Sequence, residues 1–338
     1  YEIMPSLVGS EMCIRDRQKT ESQLDFSLDG TVLGWKVTPV DSVGIYIPGG
    51  RAVYPSTLLM NVIPAQVAGV PRIAMVSPPG LSGLPHQLVM ASAALMGLEE
   101  LYSVGGAQSV GALAYGTESI QQVVKITGPG NTFVAEAKRQ VYGTVGIDSF
   151  AGPSEIMVVC DREEIPVEYI VRDMLSQAEH DPDARSIVVT PDRSLAERIR
   201  GEVQVQMPAD GPARAAIRRH GSIVVTRSVD EAIALVNRIA PEHLVCDQEN
   251  IAQRTVRAGT VLVGPYGAQA AGDYATGSNH VLPTGGAGRM RGGLSASDFV
   301  HVHSVQRITK PGLARLAPTI LPVSYTHLRA HEPRHDLV

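Results

Sequence analysis

Two side chains near the middle of the chain, Gln177 and His180, have the types and the spacing of metal ligands. They end an amphipathic stretch, 167–179, which is predicted to be a helix and is stopped by Pro182. Residues three apart share one helix face, so the amide oxygen and the imidazole nitrogen can reach the same point. Zinc accepts such donors, but it needs three or four of them, and a polar pair at a helix end is more often a cap or a solvated surface. These residues alone leave both interpretations open.

A second pair that could do chemistry, Glu242 and His243, follows a proline-fixed turn at the predicted start of a strand. Neighbouring side chains on a strand point to opposite faces, so both can serve one site only if the segment is bent. The imidazole could then move a proton near neutral pH, and the carboxylate could activate water. A charged surface pair is the simpler interpretation of these two residues.

A long glycine-rich loop, 265–293, contains a third candidate, Asp273. Loops of this length without regular structure are usually functional or disordered. Asp273 follows Gly272, so little bulk surrounds its carboxylate, which is a hard metal ligand. Further on, His301 and His303 share one face of a predicted strand. They could bind a metal, although a half-exposed edge strand is the commoner explanation.

Glycine turns after predicted strands carry three more polar side chains, Tyr46, Gln108 and Asn131. Short strands alternate with helices from Val43 onward, and a second such set begins at Glu155, which predicts an α/β protein with parallel sheets covered by helices. Ligands of such sheets lie at the carboxyl ends of the strands, where these three side chains fall. No GxGxxG motif occurs, so the pattern by itself is weak evidence for a dinucleotide.

The composition of the whole chain narrows the class of protein. A length of 338 residues suits two domains, and 44% apolar residues supply a substantial core. The net charge is −5 and no basic cluster occurs, which argues against a nucleic-acid partner. We see no apolar run of membrane length and no signal peptide. Three cysteines without a CxxC motif fit a reducing compartment, so we expect a cytoplasmic protein.

Both ends of the chain look unlike the rest. Residues 1–17 show no clear periodicity, and residues 322–338 hold three of the ten histidines. We interpret both segments as non-native and leave them out of the fold prediction, with disordered tails as the alternative. A helix is expected to begin at Lys310 and to be interrupted by the second segment.

Several segments of the chain resemble the histidinol dehydrogenase family. The likeness runs from about Asp41 to Leu316, and the combination of motifs is specific although no single motif is. The motifs are YIPGGR (46–51), VGGAQSVGALAYG (104–116), ITGPGNTFVAEAKRQVYG (126–143), AGPSE and SQAEH within 147–180, APEHL (240–244) and AGDYATGSNHVLPTGG (271–286).

This resemblance implies an NAD-dependent, zinc-containing oxidoreductase of histidine biosynthesis. Such enzymes oxidise L-histidinol to L-histidine in two hydride transfers, through an aldehyde and with two NAD. By resemblance, Gln177, His180 and Asp273 are zinc ligands, and the zinc mainly holds the imidazole and amine of the substrate. Glu242 and His243 match the acid–base pair: His243 would take the hydroxyl proton, and Glu242 would activate the water that attacks the aldehyde.

The resemblance also implies substrate and cofactor contacts, a fold and an assembly. Ser154 matches a substrate contact, as do the three zinc ligands and the acid–base pair, while Tyr46, Gln108 and Asn131 match NAD contacts. The implied fold is a pair of incomplete Rossmann-like, doubly wound parallel-sheet domains in an intertwined homodimer. We place an N-terminal remnant at 18–40, the NAD-side domain at 41–150, the metal and substrate domain at 151–300, and the start of a C-terminal helical appendage at 301–321.

One zinc ligand of the family has no counterpart that we can assign. Family members carry an EGLxxH-like pattern near the C-terminus, and its histidine reaches the zinc of the neighbouring subunit. Here the likeness stops near Ala317, and His327 and His331 fall in the segment that looks non-native. We therefore expect three zinc ligands, incomplete dimer contacts and little or no activity from this chain.

Two alternatives stay open. The first is a related zinc- and NAD-dependent dehydrogenase of another small alcohol, such as a sulfonated diol. The second is a non-catalytic α/β binding module.

Overall fold

A computed structural model describes residues 3–27, 29–49, 55–149, 152–162, 164–273 and 276–327. Gly50 and Arg51 of the first glycine turn, Phe150 and Ala151 at the expected domain boundary, and His331 lie outside these ranges. The chain divides into two compact units, one of residues 1–18 and 40–299 and the other of residues 19–39 and 300–338.

The chain begins with helix α1 (Ile3–Asp16) in the larger unit, within the segment that we left out of the fold prediction. Its sequence shows no strong apolar stripe, so a helix could not be recognised from periodicity. Tertiary contacts hold it instead: Arg15 is buried and donates a hydrogen bond of 3.0 Å to the carbonyl oxygen of Ser278. Strands β1 (Gln23–Phe26) and β2 (Val32–Pro39) follow and belong to the smaller unit.

The first sheet of the larger unit has five parallel strands in the order β5-β4-β3-β6-β7. Its first strand, β3, is fully buried at the centre, as expected for a strand covered by helices on both faces. The elements are β3 (Val43–Tyr46), α2 (Pro55–Ala68), β4 (Ile73–Val76), α3 (Gln87–Leu95), β5 (Glu100–Tyr102), α4 (Gly106–Tyr115), β6 (Lys125–Thr127), α5 (Thr132–Val141) and β7 (Gly146–Ile147).

The second sheet repeats this arrangement, with five parallel strands in the order β10-β9-β8-β11-β12. Its elements are β8 (Glu155–Val159), α6 (Val167–Ala178), β9 (Arg185–Thr190), α7 (Arg193–Gln206), α8 (Pro212–His220), β10 (Gly221–Val225), α9 (Val229–Ile239), β11 (His243–Cys246), α10 (Glu249–Arg254) and β12 (Thr260–Val263). In both sheets the first strand lies at the centre, and each sheet has the doubly wound order 3-2-1-4-5 without a sixth strand. The predicted α/β fold with two Rossmann-like parallel sheets is confirmed.

After β12 the long glycine-rich loop contains one short helix, α11 (Gln269–Gly272), and two 3-10 turns, Ala287–Arg289 and Ala296–Phe299. The loop is therefore only partly without regular structure. Helix α11 ends next to Asp273, so this candidate ligand is held by an element and not by loose chain.

The smaller unit contains a three-stranded antiparallel sheet in the order β1-β2-β13, with β13 (Val300–Arg307) at one edge. His301 and His303 are exposed on this edge strand and stack with ring centroids 5.5 Å apart. Helix α12 (Lys310–His327) follows. The expected interruption of this helix is wrong, because apolar side chains recur every three to four residues beyond Leu313.

No helix among the described residues is long and apolar enough to cross a membrane.

Candidate active site

A cleft of about 540 Å³ opens between loops of the two sheets and contains most of the predicted site residues. Asn131, expected to contact NAD, lines this cleft, whereas Tyr46 and Gln108 are outside its described lining. The side chains expected to bind metal or substrate, or to transfer protons, all line it: Ser154, Gln177, His180, Glu242, His243 and Asp273.

The two sheets turn opposite ends to the cleft. On the side of the first sheet, Pro48 follows β3 and Asn131 follows β6, so both lie beyond carboxyl ends of strands. On the side of the second sheet, Ser154 precedes β8 and Glu242 precedes β11, so both lie at amino ends. Gln177 reaches the same edge because a crossover helix runs back along the sheet and α6 therefore ends at the amino side of the strands.

Glu242 and His243 are held by the backbone of one residue on the neighbouring strand. Strands β8 and β11 are parallel neighbours, with His243 opposite Ile156. The N–H of Glu155 donates to Glu242 Oε2 at 2.8 Å, and His243 Nδ1 lies 3.3 Å from the Glu155 carbonyl oxygen. Both side chains are buried, with 5% and 4% exposure, so the interpretation as a charged surface pair is wrong.

The bend that this pair requires comes just before it. Ala240 has φ of 56° and is the only non-glycine residue with a positive φ in the described part of the chain. Such a left-handed residue reverses the chain direction at the end of α9 and is strained for a side chain with a Cβ. Because Glu242 precedes the first ladder residue of β11, it is free of the strict strand alternation and can face the cleft beside His243.

His243 presents its Nε2 nitrogen to the cleft. A carbonyl oxygen can only accept, so the contact with Glu155 places the ring proton on Nδ1 and leaves the lone pair on Nε2. Asp273 Oδ1 lies 3.5 Å from that nitrogen. Burial by itself would lower the pKa of His243, but the hydrogen bond to Asp273 and the negative charge of Glu242 outweigh it and raise the pKa above its usual value.

Glu242 has the most perturbed carboxyl group that faces the cleft. Burial raises its pKa to about 7, and this effect exceeds the lowering caused by His243 and by the N–H of Glu155. The carboxyl group therefore exchanges its proton near neutral pH, which is the property required of a general base that works on water. The strong perturbation of a buried acid in a cleft is typical of active sites.

The predicted metal ligands lie in the same cleft. Gln177 is fully buried, and neither its Oε1 nor its Nε2 has a hydrogen-bond partner in the described part of the chain. Leaving such an amide unsatisfied is costly, so a ligand or metal at this position would relieve a real penalty. His180 Nδ1 donates to the Ser176 carbonyl oxygen at 3.1 Å, which leaves Nε2 with the lone pair that a metal needs.

The three predicted donors are chemically suited to zinc, although a closed zinc site would have four. An amide oxygen from Gln177, an imidazole nitrogen from His180 and a carboxylate oxygen from Asp273 are all acceptable zinc donors, and three protein donors leave room for a substrate. Among the described residues, no group of three or more His, Cys, Asp or Glu side chains could hold a metal ion. That finding does not test the predicted set, because only two of its three members belong to those residue types.

Gln269 on α11 is a site residue that the sequence analysis missed. Its Nε2 donates to Asp273 Oδ2 at 2.9 Å and lies 3.5 Å from His243 Nε2, so it ties the predicted ligand to the predicted base. The N–H of Gln269 in turn donates to Asp173 Oδ1 on α6 at 3.4 Å. Burial raises the pKa of Asp173 to about 6. A helical spacing of four between Gln269 and Asp273 was the available signal.

His280 is a second residue that the sequence analysis missed. It lines the cleft, and its Nε2 is buried without a hydrogen-bond partner in the described part of the chain. Burial lowers the pKa of this ring, which favours the neutral imidazole, and a neutral ring offers a lone pair. Its presence in the AGDYATGSNHVLPTGG segment was visible, but no spacing rule distinguished it from the other histidines.

The three residues expected to contact NAD share the carboxyl edge of the first sheet. Tyr46 ends β3 and is buried, and its hydroxyl oxygen accepts the N–H of Gly106 at 3.3 Å. Gln108 lies in the first turn of α4 and is exposed. Asn131 caps α5, with Oδ1 accepting the N–H groups of Phe133 and Val134, so its amide nitrogen stays available for a ligand.

A family model described as histidinol dehydrogenase matches residues 11–334. The chain belongs to the histidinol dehydrogenase family. The match covers most of the sequence and includes parts of the two terminal segments that we left out of the fold prediction.

Individual histidinol dehydrogenases agree closely with this chain. It is 49% identical over 304 residues to that of Halalkalibacterium halodurans, which covers 88% of this chain and 72% of the relative. It is 51% identical over 301 residues to that of Geobacillus kaustophilus, which covers 86% of this chain and 71% of the relative. Family membership makes the protein an oxidoreductase.

Solved structures agree at two levels. A histidinol dehydrogenase from Elizabethkingia anophelis superposes with a TM-score of 0.90 at 34% identity, over 96% of this chain and 76% of that one. An acetylating aldehyde dehydrogenase from Geobacillus thermoglucosidasius reaches a TM-score of 0.59 at 11% identity, over 90% of this chain and 83% of that one. The second likeness shows a shared fold alone.

Proposed function

We propose that this protein oxidises L-histidinol to L-histidine through the aldehyde, with two NAD and one bound zinc ion. The observation that carries the proposal is the buried Glu242–His243 pair, which Glu155 fixes in a cleft that also contains the three predicted zinc donors. A base with a lone pair and a second base with a pKa about 7 are what two successive oxidations of an alcohol need.

Gln177, His180 and Asp273 would hold the metal. The unsatisfied amide of Gln177 and the lone pair of His180 Nε2 support this assignment. When bound, zinc would hold and orient the imidazole and amine of the substrate, and NAD would accept the two hydrides. Ser154 lines the same cleft and would contact the substrate.

His243 would act in the first oxidation. Its Nε2 accepts the proton of the substrate hydroxyl while the hydrogen on the carbon leaves with its electron pair. The contact from Nδ1 to the Glu155 carbonyl oxygen holds the ring orientation and stabilises the cation that forms. Asp273 and Glu242 add negative charge on either side of the ring, which also favours the protonated imidazole.

Glu242 would act in the second oxidation. Its carboxylate takes a proton from water while the oxygen attacks the aldehyde carbon, which gives the hydrate. The hydrate then loses the second hydride to NAD and a hydroxyl proton to a base, which gives the carboxylic acid. Burial keeps this glutamate basic enough to do so near neutral pH. A solvated glutamate would be about two to three pKa units less basic.

The direct test is the yield of NADH from a limiting amount of L-histidinol with excess NAD and zinc. We expect two NADH for each histidinol, with L-histidine as the product in amino-acid analysis. An end-point yield does not depend on rate, so a slow enzyme gives the same answer as a fast one. One NADH for each histidinol, or none, would contradict the proposal.

The comparisons support histidinol dehydrogenase over the two alternatives, because the family model and the relatives carry that name. A sulfonated diol in place of histidinol tests the first alternative in the same assay, and we expect no NADH from it. A non-catalytic module would give no NADH from either substrate.

Assembly, compartment and domain limits belong to the same proposal. We infer a cytoplasmic protein that forms an intertwined homodimer when intact, with the cofactor domain at 41–150 and the metal domain at 151–300. The resemblance supports the dimer, and the pair of sheets with equal strand order supports the division. Light scattering on purified protein checks the dimer.

A further inference from the structure

A buried ion pair lies under the glycine turn that follows β6. Lys138 on α5 and Asp148 after β7 are 2% and 6% exposed, and their side chains form a salt bridge. Neither residue lines the cleft in the described chain or belongs to the proposed acid–base and metal groups. Burying such a pair is expensive, and an apolar pair of similar volume is often as stable or more so. Stability therefore gives no obvious reason for its presence.

The backbone N–H and the carbonyl oxygen of Gly128 both form hydrogen bonds with this ion pair. The N–H of Gly128 donates to Asp148 Oδ2 at 2.7 Å, and its carbonyl oxygen accepts from Lys138 Nζ at 3.1 Å. The remaining oxygen, Asp148 Oδ1, accepts the N–H of Ser149 at 2.7 Å. Hydrogen bonds to charged groups are stronger than those between neutral groups. The bonds to Lys138 and Asp148 therefore fix the orientation of the peptide units on both sides of Gly128.

The upper side of Gly128 is fixed as well. Its φ is +109°, a region that L side chains rarely adopt, and a Cβ at this position would overlap the carbonyl oxygen of Tyr46. The turn is therefore packed directly on the backbone of β3. Two residues further on, a Cβ at Gly130 would collide with the side chain of Val134, so the entry into α5 is equally tight.

These contacts connect the pair to every predicted NAD contact. Asn131 closes the turn and caps α5, while Tyr46 packs on Gly128 and accepts the N–H of Gly106 ahead of Gln108. A shift of the Gly128 peptide would move Asn131 directly and would loosen the contact with Tyr46. The pair is thus placed to set the shape of the carboxyl edge of the first sheet.

We propose that Lys138 and Asp148 are positioning residues for the dinucleotide, which act by locking the 128–131 turn in the shape that binds it. The inference rests on the proposed function, since it assumes that NAD binds at this edge. Its consequence is specific: loss of the pair weakens dinucleotide binding and leaves proton transfer and metal binding at the other side of the cleft intact.

Two variants break the pair in different ways. Lys138→Met removes the charge and the donor to the Gly128 carbonyl oxygen. Asp148→Asn keeps the shape and an acceptor for the Gly128 N–H, but it removes the charge that Lys138 needs. Lys125→Met is the matched control, because Lys125 is a largely buried lysine on β6 itself that bonds to the Asp298 carbonyl oxygen and not to the turn.

For each protein we would measure five quantities: NAD affinity by isothermal titration calorimetry, KM for NAD, kcat at saturating NAD, zinc content and melting temperature. We expect the dissociation constant and KM for NAD to rise about tenfold in both variants, with kcat within about threefold of wild type and zinc content unchanged. Lys125→Met should bind NAD as the wild type does.

Unchanged NAD affinity in Asp148→Asn would overturn the inference, even if Lys138→Met fails to fold. So would a parallel loss of NAD affinity and zinc binding, since that pattern marks general unfolding. If the wild-type protein bound no NAD, both the proposed function and this inference would be overturned. If the wild type bound NAD and both variants bound it equally well, only the inference would be overturned.

Discussion

The two parallel sheets have the same strand order, yet they offer opposite ends to the cleft. The first sheet contributes turns after β3 and β6, at carboxyl ends, where ligands of such folds are normally found. The second contributes residues before β8 and β11, at amino ends. The first sheet therefore follows the rule for nucleotide-binding sheets. The second sheet has the same strand order but presents the amino ends of its strands to the cleft.

The chemistry of the two edges differs accordingly. The edge of the first sheet is built from glycines, backbone groups and neutral side chains such as Tyr46 and Asn131. At the edge of the second sheet, acidic side chains surround His243, and burial raises the pKa values of Glu155 and Glu242. The difference suggests a division of labour, in which the first sheet binds the cofactor and the second binds metal and moves protons.

The strongest test of this division removes the proton-transfer groups. We expect His243→Asn to lower kcat about 1,000-fold and Glu242→Gln to do the same for oxidation of the aldehyde, because general acid–base catalysis contributes effects of that size. Steady-state kinetics with histidinol and with histidinal separate the two. Glu231→Gln, a half-exposed glutamate on α9 outside the cleft lining, is the control and should be fully active. Loss of NAD binding in His243→Asn would refute the division.

The next test removes a metal donor. Gln177→Ala should lose bound zinc and at least about 100-fold of activity, because a site of three protein donors cannot spare one. Metal analysis after dialysis gives the zinc content, and Gln206→Ala on the neighbouring α7 is the matched control. Full zinc content in the Gln177→Ala protein would show that the buried amide has another role.

A smaller effect is expected at the edge of the first sheet. Gln108→Ala should raise KM for NAD about tenfold with little change in kcat, since one exposed polar contact to the cofactor would be lost. Initial rates over a range of NAD concentrations measure both constants. Gln121→Ala, an exposed glutamine of the same half, should behave as the wild type. A fall in kcat without a change in KM would place Gln108 in the chemistry instead.

The smallest effect concerns stability and pH in protein freed of metal by a chelator. The pKa of Glu242 is raised to about 7, so the folded state holds its proton more tightly than the unfolded chain does. Stability must then fall as pH rises from about 4.5 to about 7, and Glu242→Gln escapes this loss. We expect the variant to be more stable by roughly 3 kcal/mol at pH 8 and equal at pH 4. Denaturant unfolding of both proteins at pH 4 and pH 8 measures the difference in their free energies of unfolding. A difference that is the same at both pH values would contradict the prediction.

The sequence allowed the fold to be predicted because the fold depends on local spacing, whereas the assignment of the metal donors rests on the family resemblance and stays a prediction. Alternating strands and helices gave the two sheets, and the spacing of three between Gln177 and His180 placed them on one helix face. Asp273 was recognised from its glycine-rich surroundings and the family resemblance. The strand and helix signals survive in a linear sequence because each involves residues only a few positions apart.

The rest could not be predicted, because it depends on contacts between distant segments. The backbone of Glu155 contacts Glu242 and His243, which are 87 and 88 residues away in the sequence. These contacts exist only because β8 pairs with β11. The burial that raises the pKa of Glu242 is likewise a property of the packed fold. The same holds for helix α1, whose buried Arg15 bonds to Ser278, 263 residues away.

The division between the two edges is tested most directly by two titrations on two proteins. NAD and zinc are each titrated into His243→Asn and into Gln108→Ala by calorimetry. The account predicts wild-type affinity for NAD in His243→Asn, about tenfold weaker NAD binding in Gln108→Ala, and wild-type zinc affinity in Gln108→Ala. If His243→Asn lost NAD, or Gln108→Ala lost zinc, the two edges would not act separately and the account would be wrong.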